Sequence, residues 1–291
     1  MKLFRSNSTS PAKAVSRSGG NTSRPKNFAG VVGGVDRWVG AAVGLIAPPR
    51  CAFCGREDAP WGGFNTVRPH LCALCLDAVA PKNRNRCLRC GAPVGPYIDA
   101  RRACIHCRDD RFHFETVVGL GDYHSDLRAM CLAAKQPRAA ELAAALARSL
   151  WQLEETALRE AKADVVIPIP HHWSENLRTT PHAPETLAVV LSRQLRVKLA
   201  SHILSKSRRT DKQADLPPTR RRTNLKGAFH VRRRFHSSLR GRRILLVDDV
   251  LTTGATADAA ARALREADVS FVAVAVIARA LGKTPAVSQP G

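Results

Sequence analysis

Acidic residues and aromatics are both scarce in this 291-residue chain. Asp and Glu number 24 against 46 Lys and Arg, a formal net charge of +22, and Phe, Trp and Tyr make up 5%. So one-sided a balance points away from cationic partners and toward polyanionic ones: nucleic acid, phosphate esters or anionic lipid. The shortage of aromatics matters most between Arg193 and Arg243. There seventeen basic residues face only Asp211 and Asp215, and only Phe229 and Phe235 interleave with them. Two rings are too few for sequence-specific reading of a single strand by stacking. Long apolar runs are missing as well. The most apolar N-terminal stretch, Phe28 to Pro48, carries Asp36 and Arg37, is short for a membrane span and starts too late for a signal peptide. It reads as a peripheral amphipathic helix, and no integral span is expected. Finally, no G-x-G-x-x-G opens a helix, so a dinucleotide fold of that kind has no support.

What is present divides the chain in three. Residues 1 to about 27 are rich in Ser, Gly, Pro, Lys and Arg without apolar period, so a disordered basic tail, or sequence ahead of the true start, is expected. With the amphipathic stretch it forms a first segment, 1–47. A Cys-punctuated, loop-like module follows over 48–110. From 111 to 291 short β-rich runs alternate with Ala/Leu-rich helical ones: "TVVGLGDY", "AAELAAALARSLWQLEETALREA", "ADVVIPIP", "APETLAVVLSRQLRV", then "RRILLVDDV", "ATADAAARALREA" and "VSFVAVAVIARAL". Strand and helix in repetition predict an α/β domain with a mainly parallel sheet, and 44% hydrophobic residues suffice for its core.

Eight of the nine cysteines form four C-x-x-C pairs: Cys51 and Cys54, Cys72 and Cys75, Cys87 and Cys90, Cys104 and Cys107. Each such turn presents two sulfurs to one ion, and two turns complete a tetrahedral Zn–S₄ site. The spacing predicts two structural zinc ions, not a disulfide framework, and a reducing, cytoplasmic setting. Sequential pairing, the first four cysteines on one ion and the next four on another, is the reading taken; crossed pairing is the alternative, and an iron–sulfur cluster the rival metal. Cys131, alone in an Ala/Leu helix, reads as a buried apolar residue.

The stretch "RRILLVDDVLTTGATADAAARAL" carries the chemistry. Ile244 to Val247 has the look of a buried parallel strand, and Thr256 onward that of a helix. On the turn between them the N–H groups of Thr253, Gly254, Ala255 and Thr256 can converge on an anion, with Gly254 free to take positive φ. Thr252 opens this loop. It lacks the Gly-Lys-Ser/Thr of a P-loop. Asp248 and Asp249 would repel a phosphate and therefore need hydroxyls or a cation to face. A sugar phosphate with vicinal hydroxyls, bound with Mg²⁺, meets both needs.

"ILLVDDVLTTGAT" resembles the signature of the type I phosphoribosyltransferases, whose ligand is 5-phosphoribosyl-1-pyrophosphate with Mg²⁺. Four C-x-x-C pairs, "YHSDLRAMCLAAK", "VVIPIPH" and "RRTDKQADLPPTRRRTNLKGAF" in that order narrow the resemblance, over roughly residues 45 to 280, to the ComF family of competence and GntX-like proteins. It implies a type I phosphoribosyltransferase-like parallel sheet behind a double zinc ribbon. It implies family positions at Tyr123, Arg128, Lys135, Gln213, Arg222, Asn224, Gly227 and Phe229, and pyrophosphate contacts from Lys135, Pro170, His171 and Arg222. It also implies either phosphoribosyl transfer to an unidentified acceptor or a single-stranded-DNA-binding role in DNA uptake with a non-catalytic pocket. One block departs: Thr180, Pro181 and His182 stand where Gly, an apolar residue and Asn are expected, so the substrate contact there is altered or lost.

Overall fold

The computed structural model describes residues 50–57, 69–81, 85–136, 139–170, 182–206, 225 and 227–281. The segment 1–47 and most of the basic stretch, 207–224, lie outside these residues, as do His171, His172, Arg178 to Pro181, Gln213, Arg222 and Asn224.

A five-stranded sheet forms the frame, with strand order β1-β7-β6-β2-β3 and every pairing parallel. Its strands are β1 (Thr116–Asp122), β2 (Val165–Pro168), β3 (Lys198–Leu199), β6 (Arg243–Leu251) and β7 (Phe271–Arg279). The helices that follow the cysteine module are α2 (Ser125–Ala133), α3 (Ala140–Glu160), α4 (Ala183–Leu195), the single turn α5 (His236–Leu239) and α6 (Ala255–Arg265). A small antiparallel pair, β4 (Leu204–Lys206) with β5 (Phe229–Val231), stands beside the sheet.

β6 and β7 lie inside the sheet, and their near-continuous apolar runs are what burial on both faces demands. Alternate residues take opposite faces. Leu245, Val247, Ala273, Ala275 and Ile277 pack with Leu127 of α2, Leu146 and Leu150 of α3 and Leu187 of α4. Ile244, Leu246, Val272, Val274 and Val276 pack with Ala257, Ala260 and Leu264 of α6 and with Phe229 of β5. Each buried Leu or Ile contributes roughly 1.5–3 kcal/mol. α4 begins with Pro184 in its first turn and stops at Arg196, which takes the left-handed conformation with φ 58°, a helix stop of the αL kind.

The two cysteine ribbons dock differently. Cys51, Leu71, Cys72 and Val79, the last on the short helix α1 (Ala73–Val79), belong to the core on the α2–α4 side. The second ribbon has a small core of its own, made of Cys87, Cys90, Ala92, Val94, Cys104 and Cys107. Among the described residues no helix is long and apolar enough to cross a membrane.

Candidate functional site

The central strand β6 carries the acidic pair farther into the sheet than its apolar run suggests. Pairing with β7 continues through Asp248 opposite Val276, Val250 opposite Ala278 and Leu251 opposite Arg279. Asp248 and Asp249 are therefore held by the ladder, and the turn proper is Thr252 to Gly254. The pair is half-buried. The Asp248 carboxylate accepts from the Asp249 N–H at 2.9 Å, and Asp249 from the Val250 N–H at 2.7 Å. Burial, and then the charge of Asp249, push Asp248 up to about 8. Asp249 meets a cation: Lys135, just past α2, places its Nζ 3.0 Å from the Asp249 Oδ2. Burial alone would lower Lys135; the carboxylates of Asp249 and Asp248 raise it instead.

Past the strand, Thr252 is exposed, Thr253 and Thr256 are half-buried, and Gly254 and Ala255 are buried. Gly254 has φ 79° and caps α6, so the positive φ expected at this glycine is present. A Cβ there would also meet Phe112 at 3.2 Å. The Ala255 N–H reaches the Thr253 hydroxyl at 3.3 Å. The first-turn amides of an eleven-residue helix thus open beside the carboxyl end of β6, where ligands of parallel sheets sit.

Of the pyrophosphate contacts expected, Lys135 lies against the acidic pair. Pro170 is half-buried just beyond β2, whose Pro168 pairs with Val247. His171 and Arg222 are outside the described residues. Phe229 is 6% exposed and belongs to the core, so its ring is not free for bases, and Phe235, half-buried, meets His202 edge-on. Gly227 takes φ 69°.

Each set of four cysteines closes on itself in sequential order. Cys51, Cys54, Cys72 and Cys75 form one cluster and Cys87, Cys90, Cys104 and Cys107 the other, with the sulfurs of each set within 4.8 Å of one another. Sulfur separations of 3.7 Å (Cys54 to Cys72), 3.6 Å (Cys90 to Cys104) and 3.8 Å (Cys87 to Cys107) match the edge of about 3.8 Å of a tetrahedron with Zn–S of about 2.3 Å. They are far from the roughly 2.05 Å of a disulfide. Burial alone would raise Cys51, but N–H groups of Cys54, Cys72 and Phe53 bring it down to about 6. Burial pushes Cys107 up to about 11, aided by the charges of Cys87 and Cys104. Thiolates crowded so need a cation, and the donor set fits zinc.

One residue escapes sequence reading altogether. Arg279, the last residue of β7, is 6% exposed. Its Nε donates to the Cys90 carbonyl at 2.7 Å. Its Nη1 donates to the carbonyls of Leu251 at 3.1 Å, of Ala280 at 2.6 Å and of Thr252. Burial pulls Arg279 below the ordinary value for arginine, while Cys90, Cys104 and Cys107 push it back up. The one signal in the sequence is a charge closing an otherwise apolar strand.

With this geometry in view, residues 184–290 match the phosphoribosyl transferase domain family and residues 42–108 the double zinc ribbon domain family. The sheet draws β1 and β2 from ahead of the first of these ranges. Over 247 residues, 81% of this chain and all of the relative, it is 29% identical to the DNA utilization protein YhgH of Escherichia coli O157:H7. Over 238 residues, 79% of this chain and 97% of the relative, it is 27% identical to the competence protein F of Haemophilus influenzae. A solved structure, the glutamine phosphoribosylpyrophosphate amidotransferase from B. subtilis, aligns with 55% of this chain and 28% of its own at 20% identity and a TM-score of 0.30, too weak a likeness to build on.

Proposed function

We propose that this chain, a ComF-type protein in which a double zinc ribbon precedes a phosphoribosyl transferase domain, binds Mg²⁺-phosphoribosyl pyrophosphate at the carboxyl end of β6. One observation carries the reading: an acidic pair fixed in a central strand, directly before a glycine-capped helix N-terminus, with Lys135 as its countercharge. The amides of Thr252, Thr253, Gly254, Ala255 and Thr256 take the 5′-phosphate. Asp248 and Asp249 take the ribose hydroxyls and, with them, the metal. Lys135, released from Asp249 when these arrive, turns to the pyrophosphate, together with groups beyond Pro170 and around His171 and Arg222. Mg²⁺, when bound, neutralises pyrophosphate charge. In a transfer reaction the ribose–pyrophosphate bond breaks as the acceptor bonds to the same carbon. Pyrophosphate leaves with the electron pair, and cationic side chains offset its growing charge.

The test is calorimetric titration with phosphoribosyl pyrophosphate, with and without Mg²⁺. Saturable binding that strengthens with the metal is expected; no binding in either condition refutes the reading.

A second reading draws on the names of the relatives, DNA utilization and competence, and on the net charge of +22. Here the protein is a cytoplasmic accessory factor that holds single-stranded DNA during uptake, and the pocket binds its ligand without turnover. DNA would be held through phosphates, so affinity should fall steeply with salt and depend little on base sequence. Affinity unchanged between low and high salt would contradict it.

A further inference from the structure

Arg279 joins the second cysteine cluster to the turn that follows the acidic pair. Its guanidinium is buried and directs Nε and Nη1 to four backbone carbonyls: Cys90 on one side, Leu251, Thr252 and Ala280 on the other. Cys90 is itself one of the four sulfur ligands, so the carbonyl at the ribbon end belongs to a residue that the metal fixes. The carbonyls at the other end belong to the last residue of β6, the first of the loop and Ala280, the residue just past β7. Arg279 is 6% exposed, and a buried cation without its acceptors is costly.

Further contacts run the same way. The ring of Phe112, which follows the ribbon directly, is what a Cβ at Gly254 would touch, and it stacks on Phe114 with centroids 4.5 Å apart. Gly91, beside Cys90, has φ 72° and no room for a side chain: a Cβ would lie 2.9 Å from Val117 and 3.8 Å from the Arg279 stem. The Val117 N–H and the Thr116 hydroxyl both donate to the Leu88 carbonyl. Ribbon, linker and loop are thus packed on one another with no slack between them.

We infer that Arg279 is a positioning residue through which the metal-loaded second ribbon holds the Thr252 to Thr256 loop in its anion-binding shape. Losing the metal of that ribbon loosens the loop; losing the metal of the first does not. The ligand part of this inference rests on the proposed phosphate site, whereas the mechanical part stands without any ligand.

The experiment uses the full chain and two readouts: amide hydrogen exchange of residues 251–256, with α3 as internal reference, and titration with ribose 5-phosphate. Three variants are compared with wild type. Arg279→Met keeps the apolar stem and removes the donors, Arg279→Lys keeps the charge, and Cys104→Ser opens the second cluster. Cys54→Ser opens the first as control. Arg279→Met and Cys104→Ser should each speed exchange in the loop at least tenfold, leave α3 unchanged, and weaken ribose 5-phosphate at least tenfold. Arg279→Lys should fall between Met and wild type, and Cys54→Ser, whatever it costs in global stability, should leave loop exchange unchanged relative to β6 and β7. If Arg279→Met does not fold, the contrast of Cys104→Ser with Cys54→Ser decides alone. Loop exchange unmoved by both Arg279→Met and Cys104→Ser, or moved equally by the two cysteine variants, overturns the inference. If the loop responds as expected while wild type fails to bind ribose 5-phosphate, the phosphate-site reading falls and the coupling stands.

Discussion

Gly55 and Gly91 occupy the same place in two copies of one motif, the residue after the second cysteine of a C-x-x-C turn, and take nearly the same φ, 71° and 72°. Their surroundings have nothing in common. Among the described residues nothing lies within 4 Å of a Cβ placed at Gly55, while one at Gly91 would press on Val117 and touch the stem of Arg279. The two ribbons differ in the same sense throughout. The first enters the domain by its apolar side, sharing the core of α2, α3 and α4, and receives a hydrogen bond from Arg148 at the Pro69 carbonyl. The second keeps a separate core and reaches the sheet by polar, directed contacts: Val117 to Leu88, Arg86 to Asp122 and Arg279 to Cys90. Apolar docking supplies stability without direction; hydrogen bonds fix a position. A repeated motif has been put to two uses.

The largest test of this contrast is metal loss. Metal analysis of the untreated protein should find close to two zinc ions per chain, and iron in their place would overturn the assignment. Cys72→Ser should empty the first cluster and lower global stability by about 5 kcal/mol or more, since zinc supplies about 10–16 kcal/mol to small finger peptides and this ribbon also holds part of the common core. Denaturant unfolding with metal counting checks this. A comparison of ribbons by use fails if Cys72→Ser leaves stability intact.

Replacing Asp248 and Asp249 together by Asn separates ligand loss that arises inside the site from ligand loss transmitted by a ribbon. Both clusters should keep their zinc. Mg²⁺-dependent binding of phosphoribosyl pyrophosphate should weaken by roughly 2–4 kcal/mol, while plain phosphate should bind at least as well as before, because the negative charge of Asp249 is gone and Lys135 is freed from it. Equal weakening of both ligands would mean that the carboxylates serve only to cap the strand and helix.

The glycines sharpen the comparison directly. Gly55→Ala should cost about 1–2 kcal/mol, the penalty for an L-residue in the left-handed region. Gly91→Ala should cost about 1–3 kcal/mol beyond that, for the Cβ forced on Val117. Thermal unfolding of the pair measures the difference, and equal losses would erase it.

A further effect is one of pH. Asp248 has its pKa raised to about 8 from the ordinary carboxyl value, so between roughly pH 4 and 8 the folded state holds a proton that the unfolded state has released. Stability from this group is complete below the unfolded value and is lost as pH rises through about 8. Asp248→Asn should therefore flatten the fall in stability between about pH 4 and 8 in the ligand-free protein. An unchanged curve would place the proton elsewhere.

Much of this was legible beforehand because it is local. Four C-x-x-C pairs, the alternation of strand and helix, and Gly254 before a helix each announce themselves within a few residues. The reach of β6 did not: two aspartates ordinarily end a strand, and only pairing with β7 carries the ladder through Leu251. Phe229 looked available for stacking, yet the β4–β5 pair turns it into the core. Arg279 was the least legible, since its partner Cys90 is 189 positions away and no spacing rule reaches that far.

That separation has a bearing on how the chain acquires its shape. β7 is the last strand in sequence among the described residues and lies between β1 and β6 in the sheet, so these two have no common neighbour until residues 271–279 exist. During synthesis from the N-terminus both cysteine clusters are complete some 160 residues earlier, long enough to take up metal while the sheet is still open. Closure of so distant a contact is slow. Topology then sets an order in which the cysteine clusters can close first, the sheet next and the loop's support last, so that a chain arrested before β7 would lack the support of the proposed phosphate site.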